Sequence, residues 1–202
     1  MLVADMIEAS AVTTSKRWAL PNLLTYGRVV AVPLVCLFLL PPHTDWMRWV
    51  AFALFAIAAV TDFFDGYLAR AWQQQSSLGR MLDPIADKLL VAAILLSLSA
   101  ISTINGWSIW AAIVILCREI LVSGLREYLA ELHVSLPVTK IAKWKTTVQL
   151  LALGFLILGP AGHAILPHTE VYGLGLLWLA ALLTLYSGWD YMVAGLKHVA
   201  DD

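Results

Sequence analysis

Four aspartates, Asp62, Asp65, Asp83 and Asp87, fall within 26 residues of a 202-residue chain that is 60% hydrophobic and only 13% charged. They lie in the run VTDFFDGYLARAWQQQSSLGRMLDPIADK, which reads D-x2-D-G-x2-A-R-x8-G-x3-D-x3-D. Carboxylates are costly in so apolar a setting and mark functional sites there. On a helix, Asp62 and Asp65 are three residues apart and share a face. Gly66 and Ala69 continue that face and leave room for a ligand or a neighbouring backbone. Gly79, Asp83 and Asp87 repeat every fourth residue and share a face of the next helix. The polar turn between the two helices brings these faces together. The result is an all-oxygen site suited to Mg²⁺ or Mn²⁺ rather than zinc. Without cations, four clustered carboxylates would repel one another strongly. The ordinary alternative is that each Asp pairs with Arg or Lys to tie helices together. That serves for one pair but leaves the eight-position pattern unaccounted for.

The elements that must position these residues are helices in a membrane. A soluble domain is nearer half apolar and a quarter charged. Charge-free stretches run over 29–44, 49–61, 89–117, 146–169 (His163 and His168 aside) and 171–189. No strand alternation competes with them. The sequence predicts an all-α integral membrane protein with six transmembrane helices, at roughly 24–40, 47–71, 79–102, 107–131, 138–158 and 170–197. Residues 1–15 read as a flexible N-terminal extension with no cleavable signal, and 16–202 as a single membrane domain. Lys16, Arg17 and Trp18 suit a short interfacial segment, and Pro21 can start a short helix at its first turn.

The placement of charge orients the chain. With six spans both termini share one side. If that side is the cytoplasm, Lys16, Arg17, Arg28, Arg70, Arg80, Lys88, Arg118, Arg126, Lys140, Lys143, Lys145 and Lys197 lie on or toward it, and only Arg48 falls outside. Asp62 is then ~24 Å along helix two from the outer end, and Arg118 ~17 Å along helix four from the same end. Lys145 is ~10 Å along helix five from the cytoplasmic end. These carboxylates and cations are expected to line one polar cavity open to the cytoplasm. Arg118 is expensive inside an apolar helix unless it meets an anion; pairing with Glu119 or a motif Asp is the plain alternative. Arg126 can pair with Glu119 or Glu127, and Lys140 reads as an interfacial residue.

Other residues have ordinary readings. Trp46, Trp49, Trp107 and Trp110 form an outer interfacial belt. Cys36 and Cys117 lack metal-ligand spacing and read as small buried hydrophobes. No histidine has spacing that demands a metal; His43, His163 and His168 fall in outer loops, His198 at the tail, and His133 in a cytoplasmic loop. Ser123-Gly124 reads as a small-residue packing patch.

The acidic pattern resembles the signature of the CDP-alcohol phosphotransferase family, and each of its eight fixed positions is present. PNLLTYGRVVAVP, LDPIADKLLVA, CREILVSGLREYLAE and IAKWKTTVQLLAL look like the bacterial phosphatidylglycerophosphate synthase branch, so the resemblance covers roughly 20–195. It implies a six-helix fold, usually homodimeric. It also implies transfer of a phosphatidyl group from CDP-diacylglycerol to sn-glycerol 3-phosphate, with release of CMP. By this resemblance Asp62, Asp65, Asp83 and Asp87 hold two divalent ions, and Asp87 is the general base. Gly66, Ala69 and Arg70 contact the nucleotide, with Asp62, Asn22, Thr25 and Gly79 assisting. The acceptor carries a phosphate, for which Arg118, Arg126, Lys143 and Lys145 are the candidate ligands. Membrane lipids are expected around the chain, and no nucleic acid. Three rivals are a family member using serine or inositol phosphate, a prenyltransferase with Asp clusters, and a divalent-cation transporter. The D-G-x2-A-R element and the one-sided charge disfavour the last two.

Overall fold

A computed structural model describes residues 20–42, 44–72, 77–131 and 140–200, with side chains over 23–42, 44–62, 81–82, 84–130, 141, 143–189 and 191–193. The proposed extension at 1–15, the segment Lys16–Trp18, His43, His133 and the side chain of His198 lie outside these residues. Among the described residues there is no strand. Six α-helices follow one another: α1 (Leu20–Leu39), α2 (Asp45–Trp72), α3 (Ser77–Ala100), α4 (Ser108–Glu131), α5 (Lys140–Leu158) and α6 (Thr169–Ala200). The short helix expected at Pro21 is not separate; Pro21 sits in the first turn of α1, where its missing N–H costs nothing. A 3₁₀ turn, Gly159–Ala164, follows α5.

The helices form two groups. In one, α1 packs on both α2 and α3; in the other, α4 and α5 pack on α6; α2 meets α5 across the boundary. The shared core contains Val35, Leu39, Phe55, Leu90, Ile94, Leu98, Ile115, Leu153, Leu156 and Leu177, with alanines such as Ala51, Ala58, Ala152 and Ala180 between them. Small residues let helix backbones approach closely, which is how helices associate when the surrounding solvent is itself apolar. The outer surface is apolar too: Leu37, Leu96, Ile120 and Leu182 are all more than half exposed. A helix that is hydrophobic all round belongs in a membrane. By length and composition Ser108–Ala130, Lys143–Ala164 and Thr169–Val193 can each cross one, and Leu23–Leu39 is a shorter apolar helix. The chain is a helical membrane protein.

Lipid on the outside explains two departures from the sequence reading. Cys36 is half-buried and Cys117 exposed, so neither is the buried residue expected. A thiol is apolar enough to face lipid. Gly124 is exposed, and among the described residues nothing lies within 4 Å of where a Cβ would stand, so no packing patch forms on it there.

Arg48 fixes one end of the bundle. It is 4% exposed. It donates to the Ile157 carbonyl at 3.2 Å, near the C-terminus of α5, and to Thr103 Oγ1 at 3.4 Å, in the turn after α3. A cation there meets both unpaired carbonyls and the negative end of the helix dipole. Gly159 passes directly over the guanidinium at φ +48°, where a Cβ would collide with it. Trp46, Trp107 and Trp110 are exposed at this same end, as an interfacial belt requires. Trp49 is half-buried, edge-on to Phe52.

Gly173 carries the contact between α5 and α6. A Cβ there would stand 2.8 Å from Leu156 Cγ and 3.2 Å from its backbone nitrogen. Gly175, one turn-face away, has nothing within 4 Å. Gly173→Ala should destabilise the protein by about 1–2 kcal/mol, because backbone cannot yield as a side-chain tip does. Gly175→Ala should be neutral or stabilising by up to about 1 kcal/mol, through helix propensity. Denaturant titration of both variants in detergent checks the pair, and equal effects would contradict this packing.

Candidate active site

The end opposite Arg48 gathers the remaining buried charge. Odd-numbered helices begin there and even-numbered helices finish there. Arg28, two turns into α1, therefore meets Asp62 late in α2 and Asp87 early in α3. Its Nη1 lies 2.9 Å from Asp62 Oδ1 and 2.6 Å from Asp87 Oδ1. The Arg28 side chain is 1% exposed, whereas those of Asp62 and Asp87 are 46% and 45% exposed. Thr25, one turn before Arg28 on the same face, is also buried. Thus α2 and α3 do present Asp62 and Asp87 to one another. Asp65, Gly66, Ala69, Arg70, Gly79, Asp83 and Asn22 have side chains outside the described set, so that part of the predicted site is not located.

The pair suits a divalent cation. Its donors are all oxygen, they come from two helices, they are half open to solvent, and they already converge on a positive charge. Mg²⁺ and Mn²⁺ favour such carboxylate sites with room for water and phosphate oxygens. Among the described residues no three His, Cys, Asp or Glu side chains form a larger group. Arg28 is the residue that sequence reasoning missed here. It was read only as one of many cations near the cytoplasmic face, though its position one turn after Thr25 in an apolar helix was the available signal.

A second cluster joins α4, α5 and α6. Arg118 donates to Ser187 Oγ at 2.9 Å, and Arg126 to the Tyr191 hydroxyl at 3.2 Å. The Tyr191 ring, 4% exposed, lies 5.8 Å from the Arg118 guanidinium carbon and 5.3 Å from that of Arg126. Two like charges share one aromatic ring, whose π-system attracts both. Gly188 leaves space for the Arg118 stem to lie on α6. Arg118 Nε is buried without a hydrogen-bond partner. A donor left so is costly unless an anion completes it.

Glu119 takes part as well. It bonds the Lys145 ammonium and stands 3.9 Å from Arg118 Nη1. Lys145, expected to face a phosphate, is therefore held by a carboxylate. Arg126 pairs with Tyr191, not with Glu119 or Glu127. Lys143 is exposed, and among the described residues its side chain joins none of this cluster. Ser187 and Tyr191 were not foreseen: a lone Ser and Tyr in an apolar helix carry no spacing signal, and only the fold brings them to Arg118 and Arg126.

Fold and site together show a helical membrane protein that gathers an acidic pair and a basic cluster toward the same end. The chain belongs to the CDP-alcohol phosphatidyltransferase family, whose model matches residues 18–186. Ser187 and Tyr191 lie just past that match. A relative from Cereibacter sphaeroides, named CDP-diacylglycerol–glycerol-3-phosphate 3-phosphatidyltransferase, is 41% identical over 92% of this chain and 99% of its own. Relatives of the same name from Rickettsia bellii and Shigella flexneri are 43% and 40% identical, over 89% and 90% of this chain and 96% and 97% of theirs. Membership sets aside the prenyltransferase and transporter readings.

The Glu119–Lys145 pair can be weighed by a double-mutant cycle. Lys145 is 5% exposed and Glu119 21%. Glu119→Gln strands a buried ammonium and should cost about 3 kcal/mol. Lys145→Met should cost clearly less, since Glu119 keeps Arg118 and some water. The double variant should recover most of the larger loss. Chemical denaturation in detergent measures all three, and additive losses would mean that the pair is not coupled.

Proposed function

We propose that this chain transfers the phosphatidyl group of CDP-diacylglycerol to sn-glycerol 3-phosphate, giving phosphatidylglycerophosphate and CMP. The names of its relatives support the donor and acceptor. The observation that carries the acceptor is the pair of guanidiniums on Tyr191, one with an unsatisfied donor turned inward. A phosphate monoester supplies the oxygens that such a pair lacks, and arginine's fork matches them. We place the enzyme in the inner membrane with its charged end toward the cytoplasm, where nucleotide and glycerol phosphate are soluble. Its lipid-facing surface lets the donor's acyl chains stay in the bilayer. A homodimer is the expected assembly.

Each polar group then has a task. Asp62, Asp65, Asp83 and Asp87 hold two divalent ions, Mg²⁺ or Mn²⁺. When bound, these ions screen the diphosphate and stabilise the negative charge on departing CMP. Gly66, Ala69 and Arg70, with Asn22, Thr25 and Gly79, form the nucleotide cradle. Arg118 and Arg126 hold the acceptor phosphate, with Ser187 and Tyr191 setting their geometry. Lys143 adds positive charge nearby, while Glu119 balances the charge of Lys145. The acceptor hydroxyl attacks the phosphatidyl phosphorus as its bond to CMP breaks. Asp87 accepts the hydroxyl proton, so oxygen becomes nucleophilic as the new bond forms.

Two measurements test this reading. Asp87→Asn should lower turnover by roughly 10³-fold while CMP binding, read by calorimetry, changes little; near-wild-type turnover would remove Asp87 as the proton acceptor. In the second, detergent-solubilised protein receives CDP-diacylglycerol with glycerol phosphate, serine, inositol phosphate or water. CMP release should require glycerol phosphate, and Arg118→Ala should raise the KM for it at least about tenfold without altering that for the donor. Release with a different acceptor, or an unchanged KM, would reassign the basic cluster.

A further inference from the structure

Arg28 stands where a divalent ion would be expected to bind. One nitrogen of its guanidinium bonds a carboxylate from α2 and another from α3 at 2.9 and 2.6 Å. An ordinary structural ion pair in a membrane bundle buries both partners against one another. Here the cation is buried, at 2% exposure, while both anions remain half open to solvent. Both carboxylates thus keep contact with solvent while they bond a buried guanidinium. Carboxylates this close repel each other unless a positive charge lies between them. Arg28 supplies that charge from within the chain. A divalent ion drawn to the same two oxygens is repelled by the guanidinium.

We propose that Arg28 is a positioning residue of the acidic site: an internal cation that holds Asp62 and Asp87 together while no divalent ion is bound and competes with that ion for the same carboxylates. The inference rests on the reading of Asp62 and Asp87 as ligands for a divalent ion. Arg28 keeps α1, α2 and α3 assembled between turnovers, when the ion and nucleotide have left. It also weakens the empty enzyme's hold on the ion, so that tight binding waits for the negative diphosphate of the donor to arrive.

Mn²⁺ binding without substrate is the test, followed by electron paramagnetic resonance in detergent. Arg28→Gln should bind Mn²⁺ at least about fivefold more tightly than wild type, because one repelling charge is gone. Its thermal midpoint should be below wild type without metal and should rise more than wild type's as Mn²⁺ is added. Arg28→Lys, which keeps the charge, should stay near wild type in affinity. An affinity in Arg28→Gln equal to or weaker than wild type overturns the inference. Should the glutamine variant fail to fold, a crystal structure of the wild type with Mn²⁺ decides. Arg28 Nη1 should then have left at least one of the two carboxylates, and both bonds intact beside a bound ion would refute competition. Absence of Mn²⁺ binding by well-folded wild type would overturn the metal-site reading itself, and the inference with it.

Discussion

A guanidinium buried in a bundle that faces lipid has no water to retreat to, so it must find oxygen acceptors on another helix. That requirement organises the whole molecule. Arg28 binds α1 to α2 and α3 through Asp62 and Asp87. Arg118, Arg126, Glu119 and Lys145 join α4 and α5 to each other and to Ser187 and Tyr191 of α6. Arg48 ties the two groups together at the far end, reaching from α2 to the Ile157 carbonyl and Thr103. Between these clusters lies an apolar core of leucine, isoleucine and alanine, which gains little from burial when the outside is apolar as well.

The same clusters divide the chemistry. The acidic group belongs to the first three helices and the basic group to the last three. In the proposed reaction each half handles one kind of charge: cations and the donor's diphosphate in one, the acceptor anion in the other. Bringing both toward one end follows from alternating helix direction. At the other end Arg48, with Glu170 and Asp45 near it, forms a structural clamp. A bilayer-embedded transferase gains from this polarity, since its soluble substrates and products approach from one side while lipid tails remain in the membrane.

Much of the fold was legible in the sequence, for particular reasons. Charge-free runs such as 171–189 have few alternatives to a membrane helix, and Pro41-Pro42, Asn105-Gly106 and Gly159-Pro160 mark breaks between helices. The periods of Asp62 and Asp65, and of Asp83 and Asp87, fix faces within each helix. What periodicity cannot give is the partner across a helix boundary. Arg28 looked like one more cytoplasmic cation, Lys145 like a phosphate ligand and Cys117 like a core residue. Cys117 faces outward instead, and the contacts of Arg28 and Lys145 depend on which neighbouring helix face each meets.

The sequence by itself determined that this is an all-helical membrane protein, that its chemistry centres on the acidic run, and to which family it belongs. These follow from local quantities: hydropathy over a helix length, and residue spacing within a turn or two. Only the tertiary structure decided that Arg28 occupies the point between Asp62 and Asp87. It alone decided that Glu119 claims Lys145, and that Tyr191 meets both Arg118 and Arg126. The hydrogen bonds that make these clusters, from Lys145–Glu119 to Arg118–Ser187, span 26 to 69 residues of chain. Charge compensation acts through space, and sequence separation carries no record of it.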